Sequence, residues 1–208
     1  MMLTKTRQDR DTRREAILDV AEDVFLEEGF AAASMSAIAA RLGGSKGTLY
    51  NYFNSKDELF EAYVLRRCVL NHEDIYDHSP EGETAADALT RLGHAYLRRV
   101  LSDENLRHFR LIVAEAARSP EIGRAFYETG PARGARRLAD RIAGWVAAGQ
   151  LKAADPLTAA RQFLGLCGNH YFKARLCNAV PELTDEQIDA EVAAAVDTFL
   201  RAFGPRRS

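Results

Sequence analysis

Apolar residues along this chain recur every three to four positions, the period of a helix with one buried face. From Thr12 to Gly29, the residues Ile17, Ala21, Val24 and Phe25 stand at i, i+4, i+7 and i+8, while Asp19, Glu22, Asp23 and Glu27 take the other side. This spacing predicts an amphipathic helix, and Gly29 ends it. Met35, Ile38, Ala39 and Leu42 make a shorter stripe that Ser34 can cap and Gly43-Gly44 stops. Ser45 can cap a third helix, Lys46 to Phe53, which turns Leu49 and Phe53 inward. Ser55-Lys56-Asp57-Glu58 then reads as a capping box that opens a fourth. Three short helices with a tight glycine turn between the second and third make a helix-turn-helix arrangement.

The same period continues over roughly 56–77, 84–101, 104–117, 120–149 with a break near Gly130-Pro131, 156–177 and 185–203. No convincing strand emerges, so the expected fold class is all-α. Loops fall at "HSPEGET", "SPE", "AADP" and "NAVPELTD", where Pro, Gly and capping residues cluster, and none is long enough for an interdomain linker. The expected organisation is a three-helix module over residues 1–55, continuous with a larger helical domain over 56–208. The last helix carries a stripe from Ile188 through Val192, Ala195, Val196 and Phe199 to Phe203, which needs a partner surface.

Composition narrows the picture mainly by exclusion. With 208 residues, 47% hydrophobic and 28% charged, the chain reads as ordinary globular protein, and a net charge of −2 means that any basic surface must be local. The three cysteines are far apart and without a C-x-x-C pair, which argues for a reducing, cytoplasmic setting. The polar start "MMLTKTRQDRDTRRE" lacks the apolar core of a signal peptide, and no apolar run is long enough to span a membrane. The five histidines show no metal-ligand spacing, and no cofactor motif is present, so neither a metal nor a cofactor is expected.

One stretch, "GGSKG" at 43–47, matches the G-x-S-x-G pattern of a serine nucleophile elbow. That elbow needs a strand running into the serine and a parallel sheet behind it, whereas here a helix runs in. A phosphate loop fails likewise, because G-x-x-x-x-G-K-[ST] is absent. What survives is a serine-capped helix N-terminus, suited to a phosphate such as a DNA backbone supplies. Charge placement agrees. Residues 1–14 carry five bases against two acids, residues 15–28 carry six acids and no base, and residues 29–56 carry Arg41, Lys46 and Lys56 with no acid. The turn and third helix thus avoid carboxylates, as a surface docking on a polyanion should.

"SMSAIAARLGGSKGTLYNYFNSKDELF", with the amphipathic helix before it, resembles the DNA-binding domain of TetR/AcrR-family transcriptional regulators. Gly44 departs from the family pattern, which usually has an apolar residue there. The resemblance implies a recognition helix in the major groove and a first-helix end near the DNA backbone. It implies Ser45, Tyr52 and Lys56 as phosphate contacts and Lys46, Gly47, Thr48, Tyr50 and Asn51 as groove-facing positions. Asn51 suits adenine, and Tyr50 or Thr48 a thymine methyl. Gly47 would let the backbone approach the bases closely. The remaining helices resemble the family's ligand-binding and dimerisation domain. That implies a homodimer through the last two helices, which offer Phe163, Leu164, Cys167, Gly168 and Tyr171 and the stripe ending at Phe203. Material for an effector pocket is Tyr63, Cys68, Tyr96, Phe109, Ile112, Phe126, Trp145 and Phe163, with Glu115 and His170 among the polar anchors. The implied function is a repressor that binds a palindromic operator in double-stranded DNA and is released by a small hydrophobic effector. The alternatives are an activator or pleiotropic regulator without a ligand, and a helical interaction module. No catalytic constellation favours an enzyme.

Overall fold

The computed structural model describes residues 2–70, 75, 80, 82–152 and 155–205, and all regular secondary structure among them is helical. The helices are α1 (Met2–Ala32), α2 (Met35–Arg41), α3 (Lys46–Tyr50), α4 (Lys56–Leu70), α5 (Ala85–Val100), α6 (Asp103–Ala116), α7 (Pro120–Thr129), α8 (Pro131–Ala147), α9 (Pro156–Leu176) and α10 (Asp185–Phe203). They form two compact units: Met1–Cys68 with Arg107–Phe126, and Val69–Leu106 with Tyr127–Ser208. The part of the expected 56–77 helix beyond Leu70 lies, apart from Ile75, outside the described residues, as do His72 and His78.

α1 starts about ten residues earlier than its apolar stripe implies. Residues 8–11 are exposed, and residues 2–11 carry no apolar period, yet the stretch holds no Gly or Pro to break a helix. Gly29 breaks the helix as expected, at φ 76°, a backbone conformation glycine adopts without a steric penalty. α3 is shorter than expected, ending at Tyr50, but the chain stays coiled: the Phe53 amide bonds Leu49 O at 3.1 Å, and Leu49 and Phe53 are both buried.

In the first unit, Phe25 and Phe30 of α1 meet Phe60 and Tyr63 of α4, with the Phe25–Phe60 rings edge-on at 5.0 Å and Phe30–Phe60 at 4.7 Å. Ile17, Leu18, Ile38, Leu49 and Phe53 pack around them, and Ile112 of α6 and Ile122 of α7 join the same core. At about 1.5–3 kcal/mol for each such side chain, this core is what holds the short helices in place.

The second unit packs α5, α8, α9 and α10 around Leu89, Leu92, Leu138, Ile142, Phe163, Val192 and Phe199. At Gly93 a β-carbon would lie 3.0 Å from Val192 Cγ1, so α5 and α10 approach where no side chain fits. The stripes of α9 and α10 expected to pair two subunits are used inside one: Phe163, Cys167, Gly168, Val192, Ala195 and Phe199 are all buried in the monomer. An apolar stripe shows that a face is covered, not by which chain.

Burial separates the three thiols. Cys68 and Cys167 are buried and Cys177 is exposed, and burial pushes the Cys167 thiol up to about 12. A maleimide reagent at pH 8 is expected to modify Cys177 rapidly and the other two only after denaturant unfolds the chain. Rapid loss of all three thiols under native conditions would contradict this core.

Candidate nucleic-acid interface

The turn before α3 is built from two hydrogen bonds that close α2. Gly43 N donates to Ala40 O at 3.1 Å and Gly44 N to Ala39 O at 3.2 Å, the pattern of a Schellman ending, with Gly43 at φ 70°. Ser45 then caps α3: its Oγ accepts from the Thr48 amide at 3.1 Å and lies 3.0 Å from Thr48 Oγ1. Ser34 caps α2 in the same way through the Ala37 amide. The capping box at α4 is shifted by one residue. Glu58 N donates to Ser55 Oγ at 3.0 Å, but the Glu58 carboxylate accepts from the Asn54 amide at 2.7 Å rather than from Ser55.

This construction leaves one side of α3 to solvent. Ser45, Lys46, Gly47, Tyr50 and Asn51 are exposed, and Thr48 and Tyr52 are half-buried. Lys46 Nζ sits 5.8 Å from the Tyr50 ring centroid. A β-carbon at Gly47 would touch only Ser45 Oγ, at 3.7 Å, so nothing within the chain requires glycine there. Lys56, expected at a phosphate, turns instead to the end of α1. Its ammonium donates to Phe30 O at 2.6 Å and Ala33 O at 2.8 Å, approaches Ala31 O at 3.4 Å, and lies 4.3 Å from the Phe30 ring centroid.

Four acids of α1 pair with arginines of the same unit. Arg66 of α4 reaches Asp19 at 2.6 Å, Glu22 at 2.8 Å and Glu15 at 3.4 Å, and Arg67 reaches Glu22 at 3.6 Å. Arg41 of α2 holds Glu27 through two contacts of 2.6 and 2.8 Å. The hydrogen bond from Arg41 keeps the Glu27 carboxyl below the usual carboxylate range. The pair's contribution is therefore present at neutral pH and lost as pH falls through that lowered value. Three arginines of α1 entered the sequence reading only as local charge, with no contact assigned to them. Arg10 stacks over the Tyr52 ring at 5.9 Å, Arg14 over Phe53 at 5.1 Å, and the Arg13 guanidinium lies beside Gly44. Their spacing from Ile17 was the available signal, because positions 10, 13, 14 and 17 share one helix face.

The candidate effector residues divide between the units. Tyr63, Cys68, Phe109, Ile112, Glu115 and Phe126 belong to the first. There Tyr63, Cys68 and Ile112 are core, Phe109 meets Phe126 edge-on at 5.6 Å, and Glu115 is buried with its carboxylate 3.9 Å from Arg118. Tyr63 also hydrogen-bonds buried His108, whose other nitrogen lies 3.4 Å from Glu22. Burial, aided by Glu22, raises the Tyr63 phenol above its ordinary value, so it stays protonated. Tyr96, Trp145, Phe163 and His170 belong to the second unit. Phe163 is core against Phe199, Trp145 lies under Arg141, and the Tyr96 ring fills the space beside Gly168. His170 is exposed and lines an open groove of about 1040 Å³ along α9 and α10, with Gln162, Gly165, Leu166, Lys173 and Phe203. Leu166, 40% exposed, is among the largest apolar side chains left at the surface.

Residues 17–63 match the family model described as bacterial regulatory proteins of the tetR family, and residues 87–205 match that of the AefR-like transcriptional repressor C-terminal domain. The transcriptional activator FasR of Mycolicibacterium smegmatis is 49% identical over 65 residues, 31% of this chain and 29% of its own. The chain covers less than two thirds of the length of the curated relatives it matches first. Among solved structures, the flavonoid-responsive regulator FrrA superposes with a TM-score of 0.81 at 34% identity, covering 95% of this chain and 100% of that one. A TetR-family regulator from Mesorhizobium loti MAFF303099 gives a TM-score of 0.87 at 26% identity, over 93% and 98%.

Two substitutions test the scaffold behind α3. Lys56→Met, which removes a charged donor from the carbonyls at the end of α1, is expected to cost about 1.5–3 kcal/mol in urea denaturation. Gly43→Ala is expected to cost about 1 kcal/mol through its positive φ alone, since a β-carbon there meets nothing within 4 Å.

Proposed function

The chain belongs to the TetR family of transcriptional regulators, and from that premise we propose that it is a homodimeric, ligand-released repressor of a palindromic operator. Members of this family are DNA-binding regulators that act as dimers and are not enzymes. The observation that carries the proposal is the exposed, acid-free face of α3 on a capped and tightly closed turn. Residues 1–55 are the DNA-binding module. Lys46, Gly47, Thr48, Tyr50 and Asn51 face the major groove, and Ser45 and Tyr52 the flanking phosphates. The absent side chain at Gly47 leaves room for base edges rather than for any group of the protein. Residues 56–208 form the effector and dimer domain. Its dimer surface is the open groove side of α9 and α10 around Gly165 and Leu166, not the stripes buried in the monomer.

An effector acts only through differential affinity. One that weakens operator binding tenfold prefers the released state by about 1.4 kcal/mol, whatever its absolute affinity. The soft and aromatic residues of the regulatory helices favour a small hydrophobic molecule. FrrA, full-length similar and named for its flavonoid response, makes planar aromatic compounds the first class to try. FasR is named an activator, and its likeness favours a second reading in which the DNA contacts are the same and the sign of regulation is opposite.

Selection of bound fragments from random and genomic DNA is expected to yield a palindrome with half-sites about one helical turn, or a multiple, apart. No enrichment by folded dimer would overturn the operator reading. Replacing Lys46 and Tyr52 together by alanine should abolish binding while helix content and dimer survive. Leu166→Glu should shift the protein to monomer in sedimentation without loss of helix, because a charge there faces the open groove and not the core.

A further inference from the structure

We propose that Gly44 is a seat for the Arg13 guanidinium and that Arg13, with Arg10 and Arg14, forms a second phosphate clamp beside the recognition helix. This rests on the DNA-binding reading above, and to the first-helix end expected near the backbone it adds a particular residue, Arg13, and the glycine that seats it. At about 100° per residue, Arg10, Arg13 and Arg14 occupy one stripe of α1 roughly 100° wide, and Asp9 and Asp11 fall on its two flanks. Two of these guanidinium groups lie over rings of the helix-turn-helix, Arg10 on Tyr52 and Arg14 on Phe53. Arg14 also touches Glu15 at 3.8 Å, so it is the least free of the three.

Arg13 is the telling residue. A β-carbon built at Gly44 would have one neighbour within 4 Å, Arg13 Nη2 at 3.5 Å. The backbone does not explain glycine here: the positive φ of this turn belongs to Gly43, and Gly44 lies outside that region. A methyl group would fit at ordinary contact distance, whereas the γ-methyls of a β-branched residue would enter the space of the guanidinium. The glycine therefore leaves that space open, one residue before Ser45, which caps α3. A planar guanidinium held there, beside the residue that precedes Ser45 and one turn from Arg10 over Tyr52, carries paired N–H donors suited to a phosphate. The ligand is the DNA backbone, so the clamp adds affinity at any sequence.

The test measures binding to a random-sequence duplex of about three helical turns over a range of salt concentrations. Removing one phosphate-binding cation flattens the slope of log K against log salt by about 0.9, and each change in a dimer removes two. Arg13→Ala is thus expected to flatten it by about 1.8. Gly44→Val, which changes no charge, should flatten it by a similar amount by expelling Arg13, and Gly44→Ala should match the wild type. The double variant Arg13→Ala, Gly44→Val should be no worse than either single change. Circular dichroism and sedimentation check each protein, and should Gly44→Val not fold, Arg13→Ala with Arg13→Lys still decides. Without bidentate geometry, Arg13→Lys should bind more weakly at a near-wild-type slope. An unchanged slope in Arg13→Ala would overturn the clamp while the wild type's own salt dependence upheld the DNA reading. A Gly44→Val that weakens binding at constant slope, additively with Arg13→Ala, would mean a distorted turn and also overturn it. A wild type that binds no duplex would overturn both.

Discussion

A helix of five residues has no stability of its own, because nucleation costs more than its few hydrogen bonds return. α3 is such a helix, Lys46–Tyr50, and the proposed DNA-reading surface depends on something else holding it. Three things do. The Schellman ending at Gly43 sets the direction in which the chain leaves α2, Ser45 ties off the first turn of α3, and Leu49 and Phe53 anchor it in the core. That core is the aromatic cluster of Phe25, Phe30, Phe60 and Tyr63, so the placement of α3 is set by residues far from it in sequence. Lys56 belongs to the same device: it ties the start of α4 to the carbonyls that end α1.

Charge is partitioned by the same packing. α1 carries all the acids of its stretch, and left unpaired they would repel a polyanion close to the reading surface. Arg66 and Arg67 bind the cluster of Glu15, Asp19 and Glu22, and Arg41 holds Glu27. With these four carboxylates engaged in pairs, less negative charge is left to oppose Lys46 and the arginines of early α1. Net charge gives no hint of this, because field at a surface depends on where charges stand rather than on their sum.

The sequence legibly specified the helices, because each has an amphipathic stripe and a stop signal of its own. It also specified the caps at Ser34 and Ser45 and the glycine turn, since these act between residues a few positions apart. On α9 and α10 it offered to a second subunit stripes that are buried within the chain against α5 and α8, which leaves the dimer surface of these helices to their other faces. Periodicity reports that a face is apolar and carries no information on its partner. It was silent on the helical extension of α1 before Thr12, because residues 2–11 carry no apolar rhythm to detect.

By itself, then, the amino-acid order determined the all-helical class, the element order, the helix-turn-helix and the family to which it belongs, because these rest on local spacing and short motifs. Tertiary structure alone decided that Lys56 faces backbone carbonyls, that Glu22 lies between Arg66 and His108, and that Arg13 meets Gly44. Those pairings join residues 23 to 86 positions apart. A long-range contact is chosen by how whole helix faces pack, and no local propensity records that choice.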